Sequence, residues 1–313
     1  MKTIKHISEI KSPFIVTIGN FDGVHKGHQS LFGELKKKSN RDSLKTCAIS
    51  FYPHPFEVLG SKGNDFLISS YAGKEYLIRD LDIDYFLPLK FTKDFSTKDP
   101  GSFIEEHLKS DYLRIIHLGH DFNFGSNKKG NYDFLKNYFS SSSVIVTKQN
   151  EFYVDGGGVS STRIRDLIRR GEMLEAATLL GRPFVFDGIV KEGKGRGRHI
   201  GFPTANIERD QMRVCPKLGV YITRVIYQER SYHSVTNVGV NPSFEKRTTP
   251  RIETHIFDFN SKLYGEEIQI EFLKIIRPEI KFLSSEDLAF QISKDISSAK
   301  EFFLNQGEKR IYD

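Results

Sequence analysis

The sequence predicts an α/β domain followed by a β domain, on three observations. In the first half of the chain, short apolar runs alternate with segments of helical spacing, a pattern typical of βαβ units and a parallel, Rossmann-like sheet. From residue 184 onward the apolar runs are closely spaced and separated by turn residues, which is typical of an antiparallel barrel. The change follows Arg182-Pro183, so the predicted domains are residues 1–182 and 183–313.

Five apolar, β-branched runs predict the strands of the first domain. They are residues 14–18, 46–51, 85–89, 114–118 and 143–147. Leu31, Phe32 and Leu35 have the spacing of a helix that follows the first strand. We expect the three lysines at 36–38 to close this helix, because basic side chains favour the negative end of the helix dipole.

The second domain is predicted from five further runs and a terminal helix. The runs are residues 184–190, 219–228, 232–238, 252–259 and 267–276. Two helices precede them, one that starts near Ser161 and stops at Gly171, and one over residues 173–180. The last helix is capped by Ser284 or Ser285, and its apolar face should pack on the barrel.

The composition is that of a folded, water-soluble protein. The chain has 313 residues, 38% hydrophobic and 27% charged, which suffices for two domains with cores of their own. No apolar run approaches the ~18 residues that span a bilayer, and the N-terminal residues lack the apolar core of a signal peptide, so we predict a cytoplasmic protein with no membrane partner. The net charge of +6 admits anionic partners, but no RNA-recognition or zinc-finger signature occurs, so we predict no nucleic-acid partner.

Residues 19–28, Gly-Asn-Phe-Asp-Gly-Val-His-Lys-Gly-His, are the most informative segment. They place His25 and His28 between a predicted buried strand and a predicted helix. Glycines let the backbone approach a ligand, and a helix N-terminus offers N–H groups and partial positive charge, so the segment is typical of a phosphate site. The histidines could stabilise negative charge that develops on a phosphoryl oxygen. A structural pair or a metal site is the alternative, and zinc is disfavoured because no cysteine or carboxylate lies at a typical spacing.

Distinctive segments follow two more of the predicted strands. Residues 52–55, Tyr-Pro-His-Pro, follow the second strand, and residues 119–125, Gly-His-Asp-Phe-Asn-Phe-Gly, follow the fourth. Ligands of open α/β sheets bind at the carboxyl ends of the strands. We therefore expect these segments and residues 19–28 to converge on one rim.

The element His-x-Gly-His after a strand resembles the nucleotidyltransferase superfamily, whose members attack the α-phosphate of ATP and release pyrophosphate. The whole string at residues 19–28 is more specific, since it is similar to the opening of bacterial bifunctional riboflavin kinase/FMN adenylyltransferases (FAD synthetases). This resemblance implies that His25 and His28 are catalytic and that Gly19, Phe21 and Gly27 bind ATP. The implied reaction is attack of FMN on ATP, giving FAD and pyrophosphate without a covalent enzyme intermediate.

Residues 119–125 also match the family. The resemblance implies that Asn123, with Asp121 and Phe124, lies in the flavin and nucleotide cleft. His120 is a departure, because the family more often has phenylalanine there.

Residues 160–165, Ser-Ser-Thr-Arg-Ile-Arg, match the family's phosphate-binding motif Ser-Ser-Thr-x-Ile-Arg. The resemblance assigns ATP phosphates to Ser161, Thr162 and Arg165. Arginine can hold a departing pyrophosphate in bidentate fashion. Arg163 and Arg165 are two residues apart and do not share a helix face, and we favour Arg165.

A second glycine-rich and basic segment covers residues 193–201, Gly-Lys-Gly-Arg-Gly-Arg-His-Ile-Gly. It is not a Walker A site, because position 195 is glycine where serine or threonine should hold magnesium. The backbone of such a loop could still wrap phosphates, although a mobile surface turn has the same composition. The ATP-binding candidates are Gly193, Lys194, Gly195 and Gly201.

Thr204 and Asn206 follow this loop in the string Pro-Thr-Ala-Asn. A hydroxyl and an amide oxygen are hard ligands that suit a magnesium ion bound to phosphate. The structural alternative is a proline-initiated turn capped by asparagine. Pro-Thr-Ala-Asn resembles the riboflavin kinase motif, which implies that Mg²⁺ and ATP bind at Thr204 and Asn206.

Glu253 lies in a predicted strand, where alternation places it on one face with His255 and Phe257. A residue so placed at a barrel mouth could accept a proton, although a strand glutamate is usually a solvated surface group. Residues 253–259, Glu-Thr-His-Ile-Phe-Asp-Phe, resemble the riboflavin kinase pattern, which implies that Glu253 is the catalytic base. The implied kinase reaction converts riboflavin and ATP to FMN and ADP.

The leading hypothesis is thus a bifunctional transferase with two ATP sites, with riboflavin, FMN, FAD and ATP as its small-molecule partners and Mg²⁺ as cofactor. One alternative is a riboflavin kinase with a vestigial first domain, which the retained His25, His28, Asn123 and Arg165 disfavour. Another is a flavin-sensing or nucleic-acid-binding regulator, which only the positive net charge favours.

Overall fold

The computed structural model describes residues 1–60, 65–193, 196–240 and 250–306. The chain divides into two compact units, Met1–Gly63 with Tyr71–Ser160, and Asn64–Ser70 with Ser161–Asp313. The second unit thus includes two helices that precede residue 182. The domain boundary predicted at that residue stays a prediction.

Parallel strands form the sheet of the first unit. They are β1 (Lys2–Thr3), β2 (Phe14–Ile18), β3 (Lys45–Tyr52), β4 (Tyr85–Lys90), β5 (Leu113–Leu118) and β6 (Ile145–Lys148). The helices are α1 (Lys26–Asp42), α2 (Pro55–Leu59), α3 (Tyr71–Asp80), α4 (Lys93–Thr97), α5 (Pro100–His107) and α6 (Tyr132–Tyr138), and a hairpin of β7 (Tyr153–Val154) and β8 (Gly157–Gly158) follows β6. The sheet order is β1-β4-β3-β2-β5-β6, which confirms the predicted parallel α/β architecture.

Strand β2 is the centre of this unit, and all five of its residues are buried. Alternation sends Phe14, Val16 and Ile18 into one apolar cluster and Ile15 into another on the opposite face. The second cluster includes Leu31 and other residues of α1. Packing on both faces fixes the position of β2 in the sheet, and with it the position of the first residue of the loop that follows the strand.

Helix α1 differs from the prediction at its end. Lysines 36–38 lie within the helix, which continues to Asp42. The end comes at Ser43, whose left-handed φ of 52° cannot continue the helix and whose N–H bonds to Ser39 O. The prediction that the lysines close the helix was wrong, because favourable charge does not stop a helix where no residue breaks its backbone pattern.

The second unit contains a closed antiparallel barrel. Its strands are β9 (Phe184–Lys191), β10 (Ala205–Ile207), β11 (Gly219–Tyr227), β12 (Arg230–Gly239), β13 (Arg251–Ile256) and β14 (Glu267–Arg277). They follow the order β10-β13-β12-β11-β14-β9. The helices are α7 (Ser161–Arg170), α8 (Met173–Leu180), α9 (Arg196–His199) and α10 (Ser285–Gln306). The predicted barrel is confirmed, with β10 as a strand that the sequence did not predict.

Helix α10 packs on the barrel, as predicted. Ala299 is fully buried against Ile222, Val235 and Leu273 of three barrel strands. The ring of Phe303 stacks on His233, with centroids 3.7 Å apart. Neither α10, with its 22 residues, nor any other helix of the described ranges has a stretch long and apolar enough to cross a bilayer.

Candidate active sites

The loop between β2 and α1 is tight, and its residues 21–25 are buried. The N–H of Gly19 donates to Ile49 O across a distance of 3.0 Å, which extends the pairing of β2 with β3. Phe21, Gly23 and Val24 then adopt left-handed φ values of 48°, 79° and 38°. Such values are unfavourable for phenylalanine and valine and tend to persist at functional sites. A Cβ at Gly19 would lie 2.7 Å from the Phe21 ring. The observed position of this ring therefore requires glycine at residue 19.

His25 and His28 meet at the start of α1. His25 is the N-cap, and its Nδ1 accepts the N–H of His28 at 3.3 Å. A neutral His25 ring therefore carries its proton on Nε2. The two rings stack with centroids 3.6 Å apart and 15° between their planes, and the edge of Phe21 contacts His28. His25 is only 6% exposed and His28 is partly exposed, so the His25 ring is held by its surroundings and the His28 ring by its contacts with His25 and Phe21.

Gly27 lies between the histidines and allows this stacking. A Cβ there would come within 3.2 Å of the His25 ring and 3.7 Å of Val159 O. The backbone N–H groups of the first turn of a helix can bind an anion. The predicted phosphate-binding role of this segment fits its geometry and stays a prediction.

The flavin candidates after β5 divide into two environments. Strands β3, β2 and β5 are neighbours and parallel, so the segments after them start at one edge of the sheet, as predicted. Asp121 and Asn123 are exposed, and Asn123 Nδ2 donates to Asp121 O at 2.7 Å. Phe124 is buried instead, with its ring against Phe103 and Phe122. Its packing is that of a core residue, and its predicted contact with flavin stays a prediction.

Ser161, Thr162 and Arg165 belong to α7 in the second unit. Arg165 is 5% exposed; its Nε donates to Phe66 O at 2.7 Å, and its guanidinium lies 3.7 Å from the centroid of the Phe66 ring. Arg163 is more exposed, so the two arginines occupy different faces, as predicted. The phosphate-binding roles of Ser161, Thr162 and Arg165 stay predictions.

The short strand β10 builds the second candidate site. Asn206 pairs with Lys191 of β9 on one side and with Glu253 of β13 on the other. Directly paired residues of neighbouring strands project from the same face, so the side chains of Asn206 and Glu253 lie side by side. A Cβ on Gly193 would come within 2.3 Å of Asn206 Nδ2. The first residue of the glycine-rich segment therefore packs against the side-chain amide of Asn206. Lys194 and Gly195 lie outside the described residues.

Strand β13 shows the predicted alternation. Ile252, Thr254 and Ile256 are buried in the barrel, whereas Glu253 and His255 are partly exposed on its outer face. A partly exposed glutamate beside Asn206 is placed to exchange a proton with a bound ligand. The role of Glu253 as catalytic base stays a prediction.

His255 anchors the turn that leads into β10. Its Nδ1 lies 2.8 Å from Pro203 O, and its ring contacts Phe202 edge to face. Thr204 follows this turn and stands two residues before Asn206, the spacing that puts side chains on one face of an extended chain. Strand alternation alone places His255 on the face of Glu253, whereas its contact with Pro203 depends on the fold.

The donor atoms of this site suit a hard cation. Thr204 offers a hydroxyl and Asn206 an amide oxygen, and oxygen ligands of this kind bind Mg²⁺. Within the described parts of the chain, no three His, Cys, Asp or Glu side chains are grouped as a metal site. A magnesium ion bound here would therefore depend on these oxygens together with oxygens of the nucleotide.

The chain combines a parallel α/β unit with a closed antiparallel barrel, and the family models that match it are both those of transferases. A family model for FAD synthetase matches residues 7–163, and one for riboflavin kinase matches residues 180–303. The bifunctional riboflavin kinase/FMN adenylyltransferase of Haemophilus influenzae is 35% identical over 290 residues, which cover 92% of this chain and 94% of that protein. Its Bacillus subtilis counterpart is 34% identical over 304 residues, or 96% of this chain and 95% of that protein. The chain belongs to the bifunctional riboflavin kinase/FMN adenylyltransferase family.

A solved structure is similar to this chain over both units. It is a crystal structure from Streptococcus pneumoniae described as a macrolide-efflux protein, with a TM-score of 0.85 and 34% sequence identity. The match covers 96% of this chain and 98% of the other. The description applies to that protein, whereas the shared fold is a property of both.

Proposed function

We propose that this chain phosphorylates riboflavin with ATP to form FMN and then transfers the adenylyl group of a second ATP to FMN, which yields FAD and pyrophosphate. One observation carries this proposal. The chain holds two separate candidate sites, the stacked histidines that cap α1 and the pair of Asn206 and Glu253 on the barrel. Each site lies within the segment that the corresponding family model matches.

Adenylyl transfer is assigned to the histidine loop at the start of α1. The start of α1 provides backbone N–H groups for the phosphates, and the rings of His25 and His28 donate to oxygens that become more negative in the transition state. The stacked geometry keeps both rings in place before ATP binds, so little reorganisation is needed during the reaction. The phosphate-binding roles of Ser161, Thr162 and Arg165, and the flavin-binding roles of Asp121, Asn123 and Phe124, rest on the family resemblance.

Riboflavin phosphorylation is assigned to the barrel. Glu253 accepts the proton of the attacking hydroxyl, and the glycine-rich segment from Gly193 positions the phosphates. Thr204 and Asn206 would hold Mg²⁺, which when bound offsets the negative charge of the nucleotide. Phosphoryl transfer depends mainly on positioning and charge neutralisation, so a single carboxylate beside the metal ligands is sufficient as a base.

The proposal is tested by incubating the full-length chain with ATP, Mg²⁺ and either riboflavin or FMN, followed by chromatographic separation of the flavins. FAD from both starting compounds is the expected result. FMN as the only product would restrict the activity to the barrel and favour a vestigial first unit. No conversion from either compound would contradict the proposal, and salt-dependent binding to DNA or RNA would then support a regulator.

Metal removal gives a second test of the barrel site. We expect EDTA to abolish FMN formation and added Mg²⁺ to restore it. Full kinase activity in EDTA would contradict the proposed roles of Thr204 and Asn206.

A cytoplasmic location remains part of the proposal and is tested by fractionating cells that produce the chain.

A further inference from the structure

Lys74 is a buried lysine beside the loop that carries the histidines, and the sequence motifs gave no reason to single it out. It lies in the first turns of α3 and is only 6% exposed. Lysine is among the residues least often buried, because its ammonium group loses hydration. A position that keeps it buried therefore calls for an explanation in terms of its contacts.

The ammonium group of Lys74 connects the ends of two central strands. Its Nζ donates to Ser50 Oγ at 2.9 Å, to Asn20 O at 3.2 Å and to Phe51 O at 3.4 Å. Ser50 Oγ itself donates to Asn20 O at 3.2 Å. Asn20 O thus receives two hydrogen bonds, one directly from Lys74 and one from the hydroxyl that Lys74 contacts.

Asn20 occupies a critical place in the loop. It lies between Gly19, which continues the pairing of β2, and Phe21, where the unfavourable left-handed backbone begins. Phe21 in turn contacts the ring of His28 at a centroid distance of 5.3 Å. Fixing the carbonyl of Asn20 therefore fixes the plane of the peptide that leads to Phe21, and through Phe21 the position of the His28 ring.

The charge environment agrees with a role at this edge of the sheet. Burial lowers the pKa of Lys74 to about 8, and the carboxylates of Asp22 and Glu57 act in the opposite direction. The hydroxyl of Tyr71, whose ring lies 5.4 Å from Lys74 Nζ, donates to Glu57. Ionisable groups with this combination of burial and specific charged neighbours concentrate at functional sites.

We propose that Lys74 is a positioning residue for adenylyl transfer, which acts through Asn20 and Ser50 to hold the loop that presents His25 and His28. The inference rests on the proposed adenylyl transfer in the first unit. Lys74 does not need to contact the nucleotide for this role, since its three acceptors are all groups of the protein. Displacement of a reacting geometry by about 1 Å can cost on the order of 10²-fold in rate, so a single lost anchor is sufficient for a measurable effect.

The first experiment compares Lys74→Met with Lys45→Met in the full-length chain. Lys45 lies at the opposite end of β3, where its Nζ forms an exposed ion pair with Asp84 at 2.9 Å, so the same change there should leave both reactions unaltered. We expect Lys74→Met to lower kcat for FAD formation from FMN by about 10²-fold with little change in KM. Kinase activity on riboflavin, measured in the same samples, should match that of the unmodified chain.

The second variant, Ser50→Ala, keeps the test decisive if Lys74→Met fails to fold. It removes one of the two donors to Asn20 O and should lower kcat for FAD formation several-fold while kinase activity is retained. Because both residues act on the same carbonyl, the double variant should be no slower than Lys74→Met alone. Independent, multiplicative losses would contradict a shared action through Asn20.

A spectroscopic measurement separates this inference from the activity itself. The stacked rings of His25 and His28 should give shifted ring-proton signals in histidine-labelled protein, and Ser50→Ala or Lys74→Met should move them while Lys45→Met does not. Unmoved signals, or unchanged FAD formation in both folded variants, would overturn the role of Lys74. An inactive unmodified chain in which the signals still move would contradict adenylyl transfer but retain the positioning contact.

Discussion

The loop at residues 19–28 and the β10–β13 pair both lie where phosphates are proposed to bind, but they are built differently. The loop joins a fully buried strand to a 17-residue helix, and its two histidines are fixed by stacking and by a cap hydrogen bond. The barrel site places partly exposed side chains from neighbouring strands next to one another. One site is thus contiguous in sequence, whereas the other is assembled from segments about 50 residues apart.

This difference indicates two ways to stabilise the negative charge of bound phosphates. The histidine site supplies donors from the protein itself, namely ring and backbone N–H groups at a helix N-terminus. At the barrel site, the side chains of Asn206 and Glu253 offer oxygen atoms beside the proposed glycine-rich phosphate loop, and these oxygens repel phosphate unless a cation lies between them. We therefore expect the barrel site to depend more strongly on metal and the histidine site to depend more strongly on the geometry of its loop.

The largest expected effect is a reciprocal loss of the two activities. His28→Ala removes a donor to a developing charge and should lower FAD formation from FMN by about 10²–10³-fold while FMN formation persists. Glu253→Ala removes the proton acceptor and should lower FMN formation from riboflavin by about 10²–10⁴-fold while FAD formation from FMN persists. Each variant serves as the control of the other, measured by flavin chromatography. Equal loss of both reactions in either variant would contradict two separate sites.

An intermediate effect is expected from Gly193→Ala. The new Cβ would come within 2.3 Å of Asn206 Nδ2, so the amide must move away from its position beside Glu253. Changes that disturb the orientation of metal ligands commonly reduce metal affinity by about 10–100-fold, and we expect a rise of that order in the Mg²⁺ concentration that gives half-maximal kinase activity. FAD formation from FMN should not change. A kinase titration that matches the unmodified chain would exclude Asn206 as a ligand.

The smallest effect is expected from Gly33→Ala, which is also the matched control for Gly193→Ala. Gly33 is an exposed residue within α1, and apart from the adjoining residues and the helix's own backbone no atom lies within 4 Å of a Cβ built there. Alanine should stabilise the helix by about 0.5–1 kcal/mol, because glycine loses more backbone entropy on folding. Denaturant unfolding should show this gain with both activities unchanged. A loss of FAD formation would mean that the middle of α1 contributes to the site.

The sequence predicted the local structure around residues 19–28 better than that around β10, for a physical reason. Residues 19–28 carry their own strand end, glycines and helix start, so local chemistry defines the structure. Strand β10 has only three residues and no detectable alternation, and it exists because β9 and β13 pair with it on both sides. Pairing between distant segments is a tertiary effect that short windows of sequence do not record.

Lys74 illustrates the same limit for side chains. On an amphipathic helix a lysine is expected to face water, and nothing within α3 distinguishes this one. Its burial follows from the carbonyls at the ends of β2 and β3, which become neighbours only in the folded sheet. Phe124 shows the reverse case, because its motif suggested a ligand contact and the fold reveals a core position as well.

The pairing of β10 with both β9 and β13 has a consequence for stability. These three residues form the seam at which the barrel closes, and Asn206 lies at their centre. A nucleotide and metal ion that engage Asn206 would bind the folded barrel and not the unfolded chain, so each tenfold excess over their dissociation constant would add about 1.4 kcal/mol to the free energy of unfolding. Ligand binding and the folding of the barrel would then be linked, and the bound ligand would stabilise the pairing of β10 with β9 and β13.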